Sequence, residues 1–110
     1  MMSGYIQVVT TTEKEDDALA IAQDLVQRRL AGCVQIVGPV RSVYRWRERV
    51  ETAQEWQCWI KSREELYPQI EKAILAGHPY EEPEILALPV TEGSAGYLAW
   101  LDASLGSGCA

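Results

Sequence analysis

Two periodicities alternate along this chain, and each change of period marks a change of element. Tyr5-Ile6-Gln7-Val8-Val9-Thr10-Thr11 is rich in β-formers and predicts a first strand. Thr12 and Glu15 have capping-box spacing, and Glu13, Asp16 and Asp17 place negative charge where a helix amino end favours it. Ala18, Leu19, Ala22, Leu25, Val26 and Leu30 then recur at three and four, predicting an amphipathic helix to about Ala31, with Gly32 near its stop.

From Cys33 the period becomes two. Val34-Gln35-Ile36-Val37 enters a strand, and Gly38-Pro39 interrupts it, as a bulge, a bend or a passage along a sheet edge would. Alternation resumes from Val40 to Arg49, with Tyr44, Trp46 and Glu48 on one face and Val43, Arg45 and Arg47 on the other. A polar break at Arg49–Gln54 follows. Trp56, Cys58 and Ile60 then alternate with Gln57, Trp59 and Lys61. The result is a hairpin with strands longer than the usual five to six or so residues.

Ser62 and Glu65 offer a second capping box, with Leu66, Ile70, Ala73 and Ile74 as the apolar stripe of a second helix ending at Ala76-Gly77. Pro68 has to lie within its first turn, so the helix starts close to Glu64. The stretch His78-Pro79-Tyr80-Glu81-Glu82-Pro83-Glu84 reads as a loop stiffened by prolines. Ile85-Leu86-Ala87-Leu88 is a continuous apolar run, predicting a central strand buried on both faces. Ser94 is positioned to cap a short third helix carrying Tyr97, Leu98, Trp100 and Leu101. The order β-α-β-β-α-β-α predicts an α+β fold of the ferredoxin-like, split βαβ kind with an extended hairpin. The chain reads as one domain over residues 1–110, with its ordered core at about 5–105.

Composition narrows the classes. The 110 residues are 47% hydrophobic and 24% charged, the balance of a globular protein and not of a disordered or coiled-coil one. The net charge of −6 is uneven: residues 41–63 carry six basic and three acidic groups, residues 64–110 one basic and eight acidic. An acidic chain repels nucleic acid and anionic membranes, so neither is an expected partner. The arginines of the middle segment also alternate away from Tyr44 and Trp46, which spoils a stacking platform for RNA. Three cysteines, at 33, 58 and 109, form no closely spaced pair and predict a reducing, cytoplasmic setting. The start lacks basic residues and a long apolar run, so neither a signal peptide nor a membrane span is expected. Cys109 sits in acidic surroundings that do not favour its thiolate.

Two features invite function. Two small helices cannot cover ten-residue strands, so the hairpin with Tyr44, Trp46, Trp56 and Trp59 is expected to be buried by self-assembly. His78, Glu81, Glu82 and Glu84 bring one imidazole and three carboxylates within seven residues, a set that suits a divalent transition metal. A hydrogen-bonded surface histidine is the plainer alternative. For Lys61 the choice is between a solvated lysine and an anion-binding one. No GxSxG, glycine-rich phosphate loop or paired metal motif supports catalysis, and no enzyme activity is expected.

Several motifs in order then resemble the CutA divalent-cation tolerance family over essentially residues 5–105: Arg29-Leu30-Ala31-Gly32-Cys33-Val34, Ser42-Val43-Tyr44-Arg45-Trp46, Ile60-Lys61, His78-Pro79-Tyr80-Glu81-Glu82-Pro83-Glu84-Ile85, Leu88-Pro89-Val90 and Tyr97-Leu98-Ala99-Trp100-Leu101. The resemblance implies a homotrimer like the PII signalling proteins, acting as a binding or signalling module linked to copper and other divalent cations. Its downstream protein partner is unknown. It also implies an intersubunit cleft lined by Tyr44, Trp46, Lys61, Tyr80 and Glu84. Of the copper ligands proposed for bacterial members, Thr10 and Gly77 occupy two positions and His78 the third. Any metal site would then rest on His78 with Glu81. A sensor of a small anionic metabolite, using Lys61 and interface arginines, is the alternative.

Overall fold

The structure, a computed structural model, describes residues 4–106; the expectations for Cys109 and for the start of the chain lie outside them. Strand β1 spans Tyr5–Thr12, β2 Cys33–Trp46, β3 Arg49–Arg63 and β4 Ile85–Val90. Helix α1 spans Glu15–Gln27, α2 Tyr67–Gly77 after a 3-10 turn at Glu64–Leu66, and α3 Ala95–Ser104. The sheet order is β2-β3-β1-β4, with every neighbouring pair antiparallel. This is the α+β, split βαβ architecture that the order of periods implied.

One face of the sheet meets the helices. Ile6, Val8, Thr10 and Thr12 of β1 and Cys58, Ile60 and Ser62 of β3 are buried there, packed with Ala18, Ile21, Leu25, Leu66, Ile70 and Ile74. The opposite face carries Gln7, Val9 and Thr11 of β1, Glu55, Gln57, Trp59 and Lys61 of β3, and Leu86 and Leu88 of β4, as the register dictates. Helix α3 lies at the end of the sheet where β1 begins. Asp102 accepts from Tyr5 Oη at 2.6 Å and from Arg63 Nη1 at 3.1 Å, and a side chain at Gly32 would collide with Leu101.

Several expectations are corrected. Helix α1 ends at Gln27, not near Ala31, because Arg29 turns left-handed (φ 59°) and Leu30 and Ala31 fold back to bond the Leu25 carbonyl. Its buried stripe is Ala18, Ile21, Ala22 and Leu25, while Leu19 and Val26 are exposed. Neither predicted capping box forms. Thr12 Oγ1 donates to the Lys14 carbonyl, and Ser62 lies inside β3, donating from its buried hydroxyl to the Leu30 carbonyl at 2.7 Å. Only Ser94 caps as expected, accepting from Tyr97 N. Strand β4 is an edge strand with Leu86 and Leu88 exposed, not a central one. Its apolar run reflects a face that this single chain leaves uncovered.

The hairpin turn is also earlier than the polar break suggested. Trp46 pairs with Arg49, leaving Arg47 and Glu48 as a two-residue loop with φ of 50° and 67°, the signs a type I′ turn requires. Strands β2 and β3 are therefore 14 and 15 residues long. The register shifts between Val37 and Val40, so Gly38-Pro39 forms a bulge. Val37 opposes Gln57 and Val40 opposes Glu55, three residues of β2 against two of β3. That extra residue keeps Val40, Ser42, Tyr44 and Trp46 on the face of Gln35 and Val37, away from α1 and α2.

Candidate functional site

The open face of the hairpin and the loop after α2 enclose a groove of about 740 Å³. Tyr44 and Trp46 come from β2, Glu55 from β3, Thr11 from the end of β1, and Tyr80 to Glu84 from the loop. Four of the five residues expected in a ligand cleft thus meet in one place: Tyr44, Trp46, Tyr80 and Glu84. Lys61 does not join them. It pairs in register with Gln7 and Cys33, hydrogen-bonds the Gln7 amide oxygen and lies 5.6 Å from the Trp59 ring. Burial lowers the Lys61 pKa, which the nearby Cys33 partly opposes.

His78 anchors the loop to the sheet. Its Nδ1 accepts from the Tyr80 amide at 3.1 Å, which leaves the proton on Nε2, and Nε2 donates to the Thr11 carbonyl at 2.8 Å. The His78 and Tyr80 rings pack at a tilt of 51° with centroids 4.8 Å apart. Tyr80 in turn sends its hydroxyl to Glu55 Oε2 at 2.7 Å. Burial, followed by that bond to a carboxylate, raises the Tyr80 pKa well above its ordinary value. At the rim, Arg47 of the turn grips Glu81 through Nη2, at 2.8 and 3.3 Å to the two oxygens, while lying 5.3 Å from the Trp46 ring.

The metal expectation fails a test of fit. The one available lone pair of the His78 ring, on Nδ1, accepts from the Tyr80 amide while Nε2–H donates to the Thr11 carbonyl, and Glu81 is paired with Arg47. No group of three His, Cys, Asp or Glu side chains able to hold a metal ion exists among the described residues. Thr10, at one position of the implied ligand set, is fully buried on the helix side of the sheet, and Gly77 ends α2. Histidine and carboxylates adjacent in sequence suggested chelation; the fold instead uses the histidine as a brace.

The residue missed from the sequence is Glu55. It is 7% exposed, yet among the described residues no lysine or arginine pairs with it and the one hydrogen bond its side chain makes is from Tyr80. Its signal was present in phase: Glu55 continues the Gln57, Trp59, Lys61 face by one more step.

Comparison with known proteins completes the picture. The profile of the family described as "CutA1 divalent ion tolerance protein" matches residues 6–104. The chain belongs to the CutA family. The divalent-cation tolerance protein CutA of Thermus thermophilus is 41% identical over 99 residues, covering 90% of this chain and 96% of that one. The chloroplastic CutA of Arabidopsis thaliana is 38% identical over 96 residues, and the match spans 53% of that longer protein. Among solved structures, CutA1 of Oryza sativa superposes with a TM-score of 0.92 at 34% identity, covering 96% of this chain and 97% of that one. The motifs read from the sequence identify the family correctly.

Proposed function

We propose that this CutA-family chain acts as a homotrimeric binding or signalling module in the cytoplasm, not as an enzyme, with the groove between hairpin and loop as its ligand site. The observation that carries this reading is the uncovered hairpin face. Trp59, Leu86 and Leu88 lie on an open face of the sheet, Tyr44 and Trp46 continue it along the hairpin, and β2 and β4 end the sheet as unpaired edges. Apolar faces and long edges of this kind are satisfied by further copies of the chain. Free thiols at Cys33 and Cys58 support a reducing compartment.

The family's description as a divalent ion tolerance protein supports a link to divalent cations, copper being one candidate, although no group of three donor side chains able to hold such an ion exists among the described residues of one copy. A small anionic metabolite suits the groove poorly, since Glu55, Glu81, Glu82 and Glu84 outnumber Arg45 in its lining, Arg47 is paired with Glu81, and Lys61 lies elsewhere. Sedimentation velocity at micromolar concentration tests the assembly. The expected particle has about three times the 12.3 kDa chain mass, and a single-copy particle would overturn the reading.

A further inference from the structure

Glu55 is the buried group for which the fold provides no counter-charge. Desolvating a carboxylate is costly unless a cation or several donors compensate it, and among the described residues the Tyr80 hydroxyl is the one donor. The carboxylate sits in the wall of the groove, beside the aromatic rings of Tyr44, Trp46 and Tyr80. Glu82 and Glu84 add negative charge at the loop side, whereas Glu81 is already neutralised by Arg47. Arg45 also lines the groove, but no described ion pair joins it to Glu55, and Glu55, Glu82 and Glu84 outnumber it.

The size and the chemistry of this space disagree with a bare metal ion, which needs donors converging within about 2.0–2.6 Å. A volume of about 740 Å³ instead falls in the range of small-molecule sites, roughly 300–1,000 Å³. Aromatic faces attract organic cations through the ring quadrupole, and a desolvated carboxylate anchors an ammonium.

We propose that the groove binds an aliphatic ammonium cation, with one ammonium on Glu55, the alkyl chain against Tyr44 and Trp46, and, in a diamine, the second ammonium toward Glu82 and Glu84. This deepens the reading of the groove as the ligand site of the module and rests on it. No covalent step is involved.

The test uses the full-length protein and 1,4-diaminobutane as probe, with succinate as the anionic control, read by calorimetry and by tryptophan fluorescence. Saturable binding of the diamine and none of succinate is expected. Glu55→Gln is expected to weaken binding by about tenfold or more, as for loss of a charge-assisted contact. Trp46 is half-exposed, so Trp46→Ala should fold whatever Glu55→Gln does, and it is expected to lose about three- to thirtyfold through the missing cation–π contact. Wild-type protein that shows no saturable diamine binding, or variants that bind it as wild type does, overturn the inference. Sedimentation of the same samples separates the two readings. An assembled protein that ignores the diamine refutes only the ligand class, whereas a single-copy protein that binds it through Glu55 upholds the ligand and refutes the assembly. If a neighbouring copy's arginine neutralises Glu55, the diamine fails to bind and Glu55→Gln impairs assembly, which again overturns the inference.

Discussion

His78 donates to one backbone carbonyl and accepts from one backbone amide, so its ring holds the loop's first turn against the end of β1. Replacing it should therefore loosen the loop without touching metal chemistry. His78→Ala is expected to cost about 1–2 kcal/mol in chemical denaturation, with copper affinity by calorimetry unchanged; a marked drop in copper affinity would restore the histidine as a ligand. Tyr80 gives a pH signature. Its phenol is held protonated by burial and by donation to Glu55, so its folded pKa lies above the ordinary value of 10.0. The stability it contributes is intact below that value and is lost as the pH rises through the higher folded one. Denaturation midpoints should fall as the pH rises beyond about 10, and in that range Tyr80→Phe should fall less steeply. Glu55 shows why the groove was only partly legible: aromatic and histidine positions announce themselves by type, whereas a glutamate inside a polar run reveals its burial only once the loop is folded over it.

At the level of elements, period alone found all four strands and all three helices, because each buries one face and the apolar spacing records which. Boundaries were lost where backbone conformation decided them. Arg29 in the left-handed region cut α1 short, and Arg47-Glu48 made the hairpin turn without the glycine or asparagine that usually marks one. Positive φ strains a residue with a Cβ by roughly 1–2 kcal/mol. Glu48→Gly is accordingly expected to stabilise the protein by up to about 1 kcal/mol after the entropic penalty of glycine, measured as a shift of the denaturation midpoint with unchanged slope. Destabilisation would show that Glu48 has a favourable contact outweighing its strain. Strand β4 was misplaced for a different reason. A continuous apolar run is the pattern of a strand buried on both faces, yet β4 ends the sheet with Leu86 and Leu88 exposed, so apolar content alone did not report its position.

The molecule as a whole is longer than its chain length requires. Its principal extents are 44 × 27 × 21 Å and its radius of gyration is 14.4 Å, against about 13 Å for a compact chain of this size. The excess lies in the hairpin, whose distal half has no helix beneath it. If further copies bury that half, folding stability depends on protomer concentration. The thermal midpoint should then rise when the protein is concentrated tenfold, and a midpoint independent of concentration would indicate that one copy is self-sufficient. Such an assembly depends on which side chains the ribbon presents, and a single backbone feature decides that. Every residue from Val40 to Trp46 owes its orientation to the odd count introduced at Gly38-Pro39. Deleting Pro39 would reverse the parity of the strand beyond it, exchanging the face that carries Tyr44 and Trp46 with the face that carries Arg41, Val43 and Arg45. One codon at the bulge thus separates an aromatic ribbon face from a basic one, on an otherwise identical fold.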